Sequence, residues 1–167
     1  MNSLVSSRLL SALRRLKALP ALDCAWDQLH MHVSGHVEVA RAYAEALALA
    51  DAEAHLEAAL ALSQSGPGVD GRVDLLCELS SMAAQSADAA EQRQAGSGLA
   101  ARRRARGHAA HAAQLAARVS DPVWEIKVLL RISDVFGRLG NHGEATDLQM
   151  RALRLMALEM CLPRAGQ

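Results

Sequence analysis

Hydrophobic residues recur at three- and four-residue spacing along nearly the whole chain, and no segment alternates strictly between β-branched and polar positions. That pattern predicts helices and no strands. A first helix is expected near 3–18, stopped by Pro20,. A second is expected near 21–33, with Gly35 a break or kink, followed by helices near 36–47 and 51–64. Ser65, Gly66, Pro67 and Gly68 make the clearest loop in the chain,. A helix near 70–86 carries Leu75, Leu79 and Met82 on one stripe, and Gly96, Ser97 and Gly98 signal a second loop. A helix near 99–119 follows. Asp121 and Pro122 then suit the cap and first turn of the next helix,. Gly140 or Asn141 can take the left-handed conformation that ends it. The last helix is expected over about 143–161, before Pro163.

The richest stretch is 121–158, where small and large residues alternate as two crossing helices need. Leu129, Ile132, Ser133 and Phe136 lie on the first helix, Gly140 at the turn, and Ala145 and Ala152 on the second. Ser133 and Ala145 leave room where the helices cross, Phe136 fills the space beside the crossing, and Ala152 admits a close neighbour. This spacing resembles the tetratricopeptide repeat. Leu129 replaces that family's usual tryptophan, and Gln149 replaces a bulky apolar residue.

A second match covers 36–64: His36, Val39, Ala40 and Tyr43, then Ala52, Leu56 and Ala59. Leu47 stands at the turn glycine, so this segment reads either as a hairpin or as one helix continuing through residue 62. The middle unit, near 70–119, fits at Leu76 and Cys77 but has Ser80 at the aromatic position. It also exceeds a 34-residue repeat; it is an extended unit or carries an insertion at 96–98. The resemblance implies an all-α fold of antiparallel helix hairpins stacked as a short right-handed solenoid. Its expected parts are N-terminal packing helices over 1–35, units near 36–66, 70–119 and 122–160 within a repeat region over 36–162, and a tail over 163–167.

Composition agrees with that class. Of 167 residues, 51% are hydrophobic but only 2% aromatic, because alanine and leucine supply the excess. Alanine-rich helices pack closely and build thin cores. Eighteen basic and eighteen acidic residues cancel, which argues against a global polyanion binder,. Cys24, Cys77 and Cys161 are too scattered for a disulfide framework or a zinc spacing,. They read as small buried hydrophobes and point to a reducing, cytoplasmic setting. No apolar run is long enough to span a membrane. Arg8, Arg14, Arg15 and Lys17, with no acid before Asp23, would also suit a mitochondrial presequence,. The preferred reading is a basic amphipathic helix with Leu9, Leu13 and Leu16 facing the body, in a chain whose Ala/Arg-rich remainder has a bacterial cast.

Candidate chemistry is sparse. His32 and His36 share a helix face beside His30, as do His108 and His111, but nothing nearby clearly completes a metal site,. No cofactor is expected. Glu53 and Glu57 read as solvent-facing charge, and no nucleophile elbow, phosphate loop or zinc-protease motif appears. Arg102, Arg103, Arg104 and Arg106 form a basic run suited to an acidic partner or a phosphate backbone, or simply to a solvated face,.

The resemblance implies a binding groove lined by the first helix of each unit. Those positions are Arg41 and Glu45, then Asp74, Glu78 and Met82, then Lys127, Leu130, Asp134 and Arg138. Leu130 stands where family members that clamp a peptide carboxylate carry asparagine, which points away from that ligand. Leu155, Met156, Leu158, Met160 and Leu162 make the final helix apolar on more than one side and imply association with a second copy, a partner or the N-terminal helices,. The expected function is therefore a non-enzymatic adaptor, chaperone or sensory scaffold that captures a peptide or helix. The other readings are a nucleic-acid-associated regulator using the arginine run and a metal-binding helical bundle using the histidines.

Overall fold

The structure is a computed structural model that describes residues 3–22, 26–64, 69–92, 98–118 and 121–161. These residues form helices and no strand: α1 (Ser3–Lys17), α2 (Trp26–Glu45), α3 (Leu49–Ser63), α4 (Val69–Gln92), α5 (Gly98–Ala116), α6 (Pro122–Arg138) and α7 (His142–Cys161). The loop expected over 65–68, the first two glycine-loop residues at 96–97, Cys24, Leu162 and the tail from Pro163 lie outside the described residues. Each helix packs mainly on helices one or two places away in the chain, with α2 on α3, α4 on α5 and α6 on α7 as hairpins.

The two hairpins that the sequence pairs share a backbone design. Leu47 N–H donates to Ala44 C=O and Ala48 N–H to Tyr43 C=O, just as Gly140 N–H donates to Gly137 C=O and Asn141 N–H to Phe136 C=O. This is the Schellman closure, with one left-handed residue reversing the chain. That residue is Leu47 in the first hairpin and Gly140 in the second. Of the two readings of 36–64, the hairpin is the one that forms. Around both turns the matching small and apolar positions are buried: Val39 with Ile132, Ala40 with Ser133, Ala52 with Ala145, and Ala59 with Ala152.

The middle hairpin is longer. Ser80 is fully buried and its hydroxyl donates to Cys77 C=O at 3.1 Å, so a hydroxyl replaces the aromatic without leaving an unsatisfied group,. Beyond it α4 continues through Ala83, Ala84, Ala87 and Ala90, all buried. On the facing helix, Ala101, Ala105, Ala109, Ala112 and Ala116 form a buried stripe at helical spacing,. Alanine against alanine brings α4 and α5 close, and the main core closes over them with Val73, Leu76, Val128, Ile132 and Phe136,.

Two local expectations change. α2 runs without a break through Gly35, across the boundary expected at 35/36. A Cβ on Gly35 would lie 2.9 Å from Leu16 Cδ1 and 3.3 Å from Leu19 Cδ1, so the glycine admits the end of α1 and does not stop the helix,. Leu9, Leu13 and Leu16 of α1 do pack on the body, against Val39 and Ala42. Asp121 caps α6 as expected, accepting from Val123 N–H at 2.9 Å and Trp124 N–H at 3.2 Å, with Pro122 in the first turn.

Candidate functional site

The groove positions expected on the first helices are not equally available. Arg41 reaches Glu78 at 2.5 Å, joining α2 to α4, and Glu45 is held by Arg8 of α1 at 3.1 Å. Asp74 faces Arg131 of α6 at 3.7 Å. Burial pushes the Asp74 carboxyl up, against the downward pull of Arg131,. Glu38 pairs with Arg15 at 2.7 Å. A band of ion pairs thus crosses from α1 to α2, α4 and α6. Met82 is half-buried against the α2–α3 core. Four of the nine expected groove residues are accordingly paired within the chain, through ion pairs that remain largely open to solvent, and Met82 packs on the core,. Sequence reasoning missed the partners Arg8, Arg15, Glu38 and Arg131, because their pairing spans elements far apart in the chain.

The remaining four lie on α6. Lys127, Leu130, Asp134 and Arg138 are exposed on one helical face together with Val123, and none of the charged three joins an ion pair among the described residues,. Asp134 and Arg138 also line a cleft of about 440 Å³ between α6 and α7, with His142, Thr146 and Gln149 on its far side. Apolar Val123 and Leu130 between charges of both signs suit a mixed polar and apolar partner surface.

Three of the four arginines of the basic run make contacts within the chain. Arg102 donates to Glu91 at 2.7 Å and to the Leu139 carbonyl at 3.2 Å, where it caps the C-terminus of α6,. Arg106 bonds the Asn141 side chain at the α6–α7 turn. Arg104 crosses to Glu53 of α3 at 2.9 Å. Only Arg103 has no such partner among the contacts described; carboxylates match the charges of Arg102 and Arg104, whereas Arg103 and Arg106, whose partner is a neutral amide, keep theirs.

Glu53 corrects a second expectation. It is 7% exposed, not solvent-facing, and its other carboxylate oxygen accepts from Ser86 Oγ at 2.6 Å. Its environment is the wall of a cleft of about 760 Å³ between α3, α4 and α5, bordered by Leu47, Glu57, Ala90 and Arg104. With each oxygen engaged, Glu53 ties three helices together,.

The histidines separate. His32 Nε2 lies 2.9 Å from the Pro20 carbonyl, whereas His36 turns to α3, with its Nδ1 3.0 Å from His55 Nδ1. Tyr43 stacks on His55 with ring centroids 5.5 Å apart. Burial lowers the affinity of His36 and His55 for a proton, reinforced at His36 by His55 and His32 and opposed at His55 by Asp51,. Among the described residues no three His, Cys, Asp or Glu side chains group as metal ligands. Cys77 is buried, and desolvation pushes its thiol up to about 11, whereas Cys161 is exposed and departs from the buried role expected of it.

The apolar residues of α7 also divide. Leu155 and Met156 are half-buried against Ile126 and Leu129 of α6. Leu158 and Met160 are exposed, and Leu162 lies outside the described residues. Met150 and Leu153, absent from the expected set, are exposed beside them. No described helix is long and apolar enough to cross a membrane.

No protein-family model matches the chain. No curated protein matches it. Among solved structures it is similar to BtubC (BKLC) from P. vanneervenii, at 14% identity and a TM-score of 0.35 over 97% of this chain and 76% of that one. A superposition this loose carries no conclusion about arrangement or function.

Proposed function

We propose that the protein is a non-enzymatic interaction module, a short right-handed solenoid of tetratricopeptide-like hairpins, that holds a peptide or helix of a partner protein. The repeat reading is supported by the identical Schellman turns at Leu47 and Gly140 and by packing between chain neighbours,. The observation that carries the functional reading is the exposed face of α6. There Lys127, Leu130, Asp134 and Arg138 stand without ion pairs among the described residues, while the charged groove positions of α2 and α4 pair within the chain. Exposed charges in both signs around Leu130 and Val123 favour a partner carrying complementary charges about an apolar anchor.

Affinity capture from the native host tests this. The bait is the wild-type chain beside the double variant K127E/R138E, with R103E as the control on the opposite run. The expected result is a partner retained by wild type and by R103E and lost by the double variant. An unchanged set of bound proteins would remove the α6 face from the binding surface.

A further inference from the structure

Thr146, Met150, Leu153, Ala157 and Met160 follow one another at alternating four- and three-residue steps along α7, and all five are exposed. Met150 is 46%, Leu153 55% and Met160 87% open to solvent. That spacing matches about two heptads of a two-helix coiled-coil seam. It lies on the side of α7 turned away from Ala145 and Ala152, which face α6. In the first hairpin, the residue matching Leu153 is Leu60. Leu60 is packed against the core beneath α4. The equivalent place on α7 has no helix over it among the described residues.

We infer that this seam pairs with the same seam of a second copy, α7 against α7 antiparallel, so that the protein is a two-fold dimer. The charges beside the seam select this occupant. Asp147 and Arg154 stand on one flank, separated by one heptad; both are exposed, and neither joins an ion pair within the chain among the described residues. In an antiparallel pair like flanks face each other. Met150 then meets Leu153 of the second copy, Ala157 meets Thr146, and Arg154 falls opposite Asp147, each contact occurring twice by symmetry. A parallel pair would not bring these two residues together. One helix pair buries less than the roughly 1,200 Å² of a standard interface, so dissociation in the micromolar range is expected. The seam meets the α6–α7 cleft at Thr146, which lies across it from Asp134 and Arg138; Val123, Lys127 and Leu130 are outside the seam, and Leu153 is outside the cleft, so L153E separates this proposal from partner binding.

Analytical ultracentrifugation over rising micromolar concentrations tests it. Wild type should pass from monomer to dimer. L153E should weaken dimerisation at least about tenfold with its helical circular dichroism unchanged, because Leu153 touches little of its own chain. D147R and R154D should each weaken it by about three- to tenfold, and the combined swap D147R/R154D should restore it. A wild type that stays monomeric throughout overturns the proposal and leaves the seam to a different protein. A dimer indifferent to L153E, or a combined swap as weak as the single variants, overturns it as well.

Discussion

Leu47 and Gly140 hold the same place in two hairpins: each is the left-handed residue of a Schellman turn, with φ of 59° and 75°. Only one of them is suited to it. An L-residue with a side chain pays about 1–2 kcal/mol in this region, and glycine does not. Leu47 recovers nothing by packing, because it is 83% exposed. Leu47→Gly is therefore expected to stabilise the fold by about 1 kcal/mol and to raise the melting temperature by about 2–4 °C. Gly140→Ala should do the reverse by a similar amount. Thermal and urea denaturation of the two variants checks both signs.

Glu53 and Arg104 supply a test of the α3–α5 contact. Removing the arginine strands a nearly buried carboxylate with Ser86 as its remaining partner. Arg104 is itself partly exposed, so the cost is below that of a fully buried pair, at about 2 kcal/mol for Arg104→Ala. Arg103→Ala, one residue away and exposed, should change stability by less than about 0.5 kcal/mol. The apolar pair E53L/R104M should recover much of the loss. Equal urea midpoints for R104A and R103A would show that the tie contributes nothing.

The hairpin over 121–158 was legible because its information is local: a cap at Asp121, a turn glycine at Gly140 and small residues at the crossing all lie within a few turns of one another. The all-helical class followed from periodicity alone. What sequence could not give was pairing at a distance. Arg102, Arg104 and Arg106 look like one basic patch when read in order, yet they point to Glu91, Glu53 and Asn141 on three different elements. Glu53 and Glu57 look alike at ordinary helix spacing, yet α4 and α5 bury Glu53 and leave Glu57 exposed. The exposure of the apolar residues of α7 was hard to read from the sequence for a related reason. Apolar residues occur on several sides of that helix, and the position of α6 alone decides that Leu155 and Met156 are inside and Met150 and Leu153 outside.

The cysteines should differ sharply in reactivity. The thiolate is the reactive form, and burial pushes Cys77 up to about 11, whereas Cys161 is exposed on the last described turn of α7,. In a C24S background at pH 8, a thiol-specific reagent is expected to modify one equivalent quickly, at Cys161. Cys77 should react only as the protein unfolds, so its labelling rate should rise steeply with urea. Prompt modification of both thiols in native buffer would contradict the packing of α4.

Acidification should destabilise the fold, and the histidines set the direction. His36, His55 and His108 each bind a proton less readily in the folded chain than the ordinary imidazole at 6.5, chiefly through burial, with Glu57 and Glu53 partly offsetting this at His108. The unfolded chain therefore takes up more protons as pH falls through about 6.5. Stability is full above that value and is lost as pH drops towards the lowered folded values. The contact between the two Nδ1 atoms adds a structural reason, since one ring must keep a free lone pair to accept from the other, and protonating both forces them apart,. Urea midpoints measured from pH 7.5 to 5 should fall, and the fall should be shallower in H36Q, which removes one titrating ring and relieves its neighbour. A flat profile, or one as steep in H36Q as in wild type, would mean that the α2–α3 histidine pair is solvated and does not couple protons to folding.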